Sequence, residues 1–313
     1  MKFPLPIFLL ALAAIRPAAA APDGIAYVIN SAGASISVVD MAKQTELRRI
    51  PVLREPHHLV LSPDGRQLLV GDTVANEMLF LDPQTGEIKK RLTMADPYQL
   101  GFSPNGRWLV VNGLARNQVD VYDAAGMTLI KRFPLASLPS HLAFSPDSSM
   151  VFVSLQGTDR LAAIDLGAMA VRWIRPVGRT PAGVMWHDGQ VLVANMGTDN
   201  VAVVDPVDGR VTARIVTGKG AHTLFLSPDG KIVYVNNRVS STTVALDAAT
   251  LKLLRTYPIP GGPDDMDFAP DGKIWITRRF AEKLAVLDPA TGQYQTIDVG
   301  RSPHGIWLNP KAP

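Results

Sequence analysis

The stretch Leu226-Ser227-Pro228-Asp229-Gly230, running on into Ile232-Val233-Tyr234-Val235, decides the fold. Proline fixes φ for the turn, glycine accepts the positive φ that ends it, and the β-branched run that follows favours a strand. The phrase returns as Leu61-Ser62-Pro63-Asp64-Gly65, Phe102-Ser103-Pro104-Asn105-Gly106, Phe144-Ser145-Pro146-Asp147, Trp186-His187-Asp188-Gly189, Phe268-Ala269-Pro270-Asp271-Gly272 and Leu308-Asn309-Pro310. Its third residue falls at 63, 104, 146, 187, 228, 270 and 310, in steps of 40 to 42 residues. Short strands repeating at that period predict an all-β fold, a seven-bladed β-propeller.

The unit spanning 217–256 reads as one blade. A short apolar strand, His222 to Leu226, is followed by the turn, then by the strand from Lys231 to Asn236. A polar loop leads to a third strand ending at Asp247, and the run from Leu251 to Tyr257 alternates as a fourth. Aspartate closes the third strand in every unit, at Asp40, Asp82, Asp123, Asp165, Asp205, Asp247 and Asp288. A residue that every blade repeats serves the blade, so these carboxylates are expected to cap the next turn rather than form a site.

Second-strand text (Ile25-Ala26-Tyr27-Val28-Ile29-Asn30) opens the repeats and first-strand text (Gly305-Ile306-Trp307-Leu308) ends them. The last blade should therefore take its inner strand from the C-terminal end and three strands from the N-terminal end, which ties the ring shut. Ahead of it, Lys2, the apolar run from Phe3 to Ile15 and Ala18-Ala19-Ala20-Ala21 have the order of a secretory signal. The expected organisation is a signal peptide over 1–21 and one propeller over 22–313, periplasmic or secreted. No membrane span is expected after cleavage, and a closed ring needs no second copy, so a monomer is expected. The chain has no cysteine, which excludes disulfides, thiolate metal ligands and a cysteine nucleophile. Without residues 1–21 the balance is 29 basic against 28 acidic residues, which argues against nucleic acid as a partner.

Ile25-Ala26-Tyr27-Val28-Ile29-Asn30, Ile232-Val233-Tyr234-Val235-Asn236-Asn237 and Pro303-His304-Gly305-Ile306 resemble the YVTN-type β-propeller repeat family. That family includes exported bacterial propellers and is similar to the haem d1 propeller of cytochrome cd1 nitrite reductases. Over one or two blades, Lys273-Ile274-Trp275-Ile276-Thr277 onward also resembles streptogramin-lyase-like propellers. The first resemblance implies a place in a periplasmic redox or cofactor-maturation system. The second implies a metal-dependent lyase or lactone-type hydrolase with His222 or His304 as general base.

Five of the six histidines share one place in the repeat, just before the inner strand: His57, His58, His141, His222 and His304. At the residue after the proline or its equivalent, closure brings His222, Asp264, His304, His57 and Tyr98 into one arc over neighbouring blades. The next position adds His58, Gln99, His141 and Asp265. Imidazole, carboxylate and phenol without thiolate suit copper, zinc or iron, or an organic cofactor met by a histidine. Loops on the same face carry Arg116, Arg160, Arg238, Arg278 and Arg279, and guanidinium forks suit an anionic cofactor. The reading is thus an exported binding protein that holds a small anionic ligand, a divalent metal, a cofactor or a periplasmic partner protein at the channel mouth. The alternatives are the metal-dependent enzyme above and a pure interaction scaffold.

Overall fold

The computed structural model describes residues 23–310, so the signal peptide expected over 1–21 lies outside the described residues. Seven four-stranded antiparallel sheets surround a central channel. Blade 1 is the closing blade: its inner strand Pro303–Asn309 pairs with Ile25–Asn30, which continues into Ser35–Asp40 and Thr45–Pro51. Blades 2 to 7 follow in chain order, with inner strands Pro56–Leu61, Gln99–Phe102, Pro139–Phe144, Pro181–His187, Ala221–Leu226 and Pro263–Phe268.

The core is a ring rather than a centre. Seven apolar clusters fill the seven interblade interfaces; Val119, Val121 and Phe133 of blade 3 meet Val151, Val153 and Leu155 of blade 4, for example. Second and third strands, covered on both faces, are buried almost throughout, whereas outer strands such as Thr128–Pro134 are exposed, there at every residue but Phe133. The tryptophans join this packing: Phe152 of blade 4 lies 5.9 Å from Trp186 of blade 5, ring centroid to ring centroid.

Each aspartate that ends a third strand accepts a backbone N–H of the turn after it. Asp40 takes Lys43 (2.8 Å), Asp82 takes Gln84 (2.8 Å), Asp123 takes Gly126 (2.7 Å) and Asp165 takes Ala168 (2.7 Å). Asp205 takes Val207, Asp247 takes Thr250 and Asp288 takes Ala290. The serines of the turn phrases are likewise spent locally, as in Ser62 Oγ donating to Asp64 Oδ1 at 2.6 Å.

On the opposite, upper face a second device repeats. The loop between second and third strands holds one residue at positive φ in every blade: Ala34, Asn76, Asn117, Asp159, Asp199, Ser241 and Glu282. Asparagine and aspartate tolerate that conformation, and their side chains here clasp the connection into the next blade. Asp159 accepts Thr180 N–H at 2.8 Å, Asp199 accepts Gly220 N–H at 2.9 Å and Asn117 accepts Leu138 N–H at 2.8 Å. The upper rim is therefore a stiff platform.

Candidate functional site: an imidazole hub beneath a cationic rim

Inner strands enter the channel through a β-bulge. The ladder slips between Pro56 and Leu59, Pro139 and Leu142, Pro181 and Val184, Ala221 and Thr223, and Pro263 and Met266, and again in the closing blade. In a regular strand, successive side chains alternate between faces; a bulge re-aims one of them. It brings the consecutive side chains of His57 and His58 into one cluster. Space there is tight: a Cβ on Gly183 would sit 2.5 Å from the His222 carbonyl oxygen.

The five histidines converge from distant parts of the chain. Ring centroids are 4.0 Å apart for His57 and His304, 4.6 Å for His58 and His304, and 5.2 Å for His58 and His141 and for His141 and His222. Tyr98, half-buried, packs its ring 3.9 Å from His57. All five imidazoles are buried, His222 and His304 with only 1% of their surface exposed. They sit beneath the channel mouth and do not line its open rim.

Asp264, with no exposed surface, anchors the hub. His304 Nδ1 donates to its Oδ2 at 2.5 Å, His222 Nδ1 to Oδ1 at 2.9 Å, Arg238 Nε to Oδ1 at 2.6 Å and Arg279 Nη1 to Oδ2 at 3.1 Å. Burial alone pushes this carboxyl up, but Arg238 and the two imidazoles outweigh it and hold it well below its ordinary value. The histidines go the other way. Burial holds His57, His58 and His141 well below the usual imidazole value, and lowers His222 and His304 to about 4. His222 and His304 are thus hydrogen-bond donors to Asp264, not its counter-ions. Two guanidiniums against one carboxylate leave the hub net positive.

Below the hub a channel cavity of about 370 Å³ is lined by His58, His141, His304, Gln99, Thr223, Asp265 and Asp267, among others. Asp265 is pushed well above the carboxylate range by burial first and by the neighbouring Asp264 next. Of the arginines singled out in the sequence, Arg238 and Arg279 reach the hub with side chains 17% and 21% exposed. Arg116 stays on the rim, its guanidinium on Asn76 Oδ1 at 3.0 Å, beside a cavity of about 430 Å³ that Tyr98 also lines. Arg160, expected in a loop, is instead the exposed first residue of the strand Arg160–Asp165 and is not drawn to the hub. Arg278 lies instead along its own blade, donating to the Pro260 carbonyl at 2.6 Å and packing on Tyr294; it is a structural arginine.

The structure adds what the repeat reading passed over. Connections into inner strands put Arg54, Arg179 and Lys219 on the same rim, exposed, and Arg301 holds the Ala32 carbonyl there. Exposed Leu53, Val74, Val239 and Phe280 stand among them. Their positions in upper-face loops were readable; their exposure was not. A larger cavity, about 680 Å³, lies on the opposite face between blades 4 and 5 and is walled by Trp173, Trp186 and Val207, away from the hub.

The comparison with known families covers residues 6–313. The chain belongs to the YNCE-like beta-propeller family. Two curated proteins of Pseudomonas aeruginosa are similar to it. One is Dihydro-heme d1 dehydrogenase, 28% identical over 136 residues, which are 41% of this chain and 27% of that one. The other is Protein NirF, 27% identical over 195 residues, 56% of this chain and 49% of that one. The chain thus spans about half or less of these relatives. Among solved structures, Dihydro-heme d1 dehydrogenase NirN in complex with DHE superposes with a TM-score of 0.68 at 18% identity, covering 92% of this chain and 76% of that chain. A functionally unknown protein from Desulfotomaculum acetoxidans superposes at 0.79 with 14% identity, covering 91% and 99%. At these identities the superpositions show the propeller fold. Among the described residues no helix is long and apolar enough to cross a membrane.

Proposed function

We propose that this propeller is a periplasmic binding protein for an anionic tetrapyrrole of the haem d1 type, serving the maturation of that cofactor, with residues 1–21 as its export signal. The observation that carries the reading is the composition of the upper rim. Arg54, Arg116, Arg238 and Arg279 stand there among exposed Leu53, Val74, Val239 and Phe280, over a hub of net positive charge. A flat apolar macrocycle edged with carboxylates needs such a mixture, because guanidinium forks bind carboxylates in pairs and apolar side chains cover the ring. The curated relatives, whose names refer to haem d1 or to a Nir protein, supply the class of macrocycle.

The test is an absorption-monitored titration of the mature protein with dihydro-haem d1 and with its carboxylate-esterified form. Charge-assisted hydrogen bonds contribute about 1.5–3 kcal/mol each, so Arg54→Glu/Arg116→Glu should weaken binding by roughly 100-fold or more. These two side chains are exposed, so the fold should stand. No spectral change at micromolar concentrations, or equal binding of the ester, would overturn the proposal.

A further inference from the structure

The imidazoles carry more than the rim proposal uses. His57, His58 and His304 each place one ring nitrogen within 4.8 Å of the other two, and all three are buried. Their neighbours fix the tautomers of His58 and His304, and the His58 Nδ1–H also faces His57 Nδ1 at 3.0 Å, so His57 accepts there, a contact that a metal bound through that nitrogen would break. A carbonyl oxygen only accepts, so the 2.8 Å contact of His58 Nδ1 with the Tyr98 carbonyl puts the proton on Nδ1 and leaves Nε2 a bare lone pair. The same holds for His304, whose Nδ1–H is given to Asp264 at 2.5 Å. Its Nε2 is buried and has no hydrogen-bond partner. A buried lone pair without a donor is rare and asks for an explanation.

We propose that His57, His58 and His304 form a three-imidazole site for Cu(II), with Asp264 as the residue that orients His304. A carboxylate on the far nitrogen of a histidine is the usual way to set the ring and raise its basicity toward a metal. Three neutral imidazoles suit zinc, copper and nickel, and copper binds such a set most tightly among divalent first-row ions. Arg238 and Arg279 oppose any cation near Asp264, which excludes weak imidazole binders such as magnesium and calcium. His58 and His304 also line the channel cavity, so the fourth position of the metal faces that cavity. Cu(II) takes a tetragonal set, in which nitrogens about 2.0 Å from the metal lie about 2.8 Å apart when adjacent and about 4 Å apart when opposite, so the rings must draw in by up to roughly 2 Å. This site needs no tetrapyrrole, and it stands or falls apart from the rim proposal.

The experiment uses the full mature chain without a histidine tag, stripped with chelator and titrated with CuCl2 alone, read by calorimetry and by electron paramagnetic resonance. One equivalent should bind with nitrogen hyperfine structure from three imidazoles. His304→Asn keeps an N–H donor near the Nδ1 position for Asp264 but removes Nε2. It should lose at least about ten-fold in affinity and one coupled nitrogen, while His187→Ala, on the opposite face against the Ala248 carbonyl, should change nothing. Circular dichroism checks the fold, and if His304→Asn is unfolded, His57→Gln takes its place with the same expectation. Substoichiometric copper, or unchanged affinity and hyperfine pattern in a folded His304→Asn or His57→Gln, would refute the site.

Discussion

Acid should dismantle this propeller through its hub. All five clustered histidines are held neutral in the fold, and unfolding returns each to a pKa of about 6.5. Between those values the unfolded chain binds more protons than the native one, so stability is full above about pH 7 and falls as the pH drops. A histidine that stays neutral in the fold loses about 0.8 kcal/mol at pH 6 and about 2 kcal/mol at pH 5. Five together lose about 4 and about 10 kcal/mol, against a native stability typically of about 5–15 kcal/mol. The midpoint of acid unfolding should therefore lie near pH 5. Surface Asp40, Asp82, Asp165 and Asp247, lowered by their turn hydrogen bonds, act only at lower pH, whereas buried Asp265 and Asp267, raised by burial, oppose the histidine slope by up to about 1.4 kcal/mol per pH unit each. The assay is urea unfolding of chelator-treated protein at half-unit steps from pH 8 to pH 5. His141→Asn/His222→Asn should reduce the slope of stability against pH by up to about 2.7 kcal/mol per pH unit. A slope below about 2 kcal/mol per pH unit, or one that the double variant leaves unchanged, would refute a hub of neutral imidazoles.

The remaining predictions concern the acids of the channel. Asp264→Asn leaves Arg238 and Arg279 without their buried anion, a loss of about 3–5 kcal/mol, and should lower the melting temperature by roughly 10 °C at pH 7. Because the Asp264 carboxyl is held low, that difference should persist from pH 8 to about pH 5 and close only below about pH 4; a variant melting with the wild type at pH 7 would count against the hub. Asp265 is raised, so its sign is opposite: its penalty is absent below about pH 4 and grows as the pH rises. Asp265→Asn, which keeps an acceptor for the Met266 N–H, should melt higher than the wild type at pH 7 and equal to it near pH 3.5, as scanning calorimetry would show.

The repeat made the fold legible because a propeller spells its architecture locally. Each Ser-Pro-Asp-Gly turn and each strand-ending aspartate acts within a few residues of itself, and all seven aspartates cap the turns that follow them. The closing blade was legible for the same reason, since Ile25–Asn30 and Pro303–Asn309 read as adjacent strands of one blade. The neighbourhood of His57, His304 and Asp264 also followed from register and closure. What register could not give was depth and ownership. Alignment placed Arg238, Arg278 and Arg279 alike, yet two of them bind Asp264 and the third turns into its own sheet, because Arg278 ends a strand while Arg238 and Arg279 begin loops.

The bulges were equally hidden, and they decide the chemistry. A regular ladder would send His57 and His58, or Asp264 and Asp265, to opposite sides. The slip at these two inner-strand entrances instead crowds both members of each pair around the channel, where water is excluded and imidazoles are held neutral. One carboxylate then suffices to fix two imidazoles and two guanidiniums, and the neutral nitrogens left over are the lone pairs that a metal would seek. The same exclusion of water that makes the hub acid-labile makes it a ligand set.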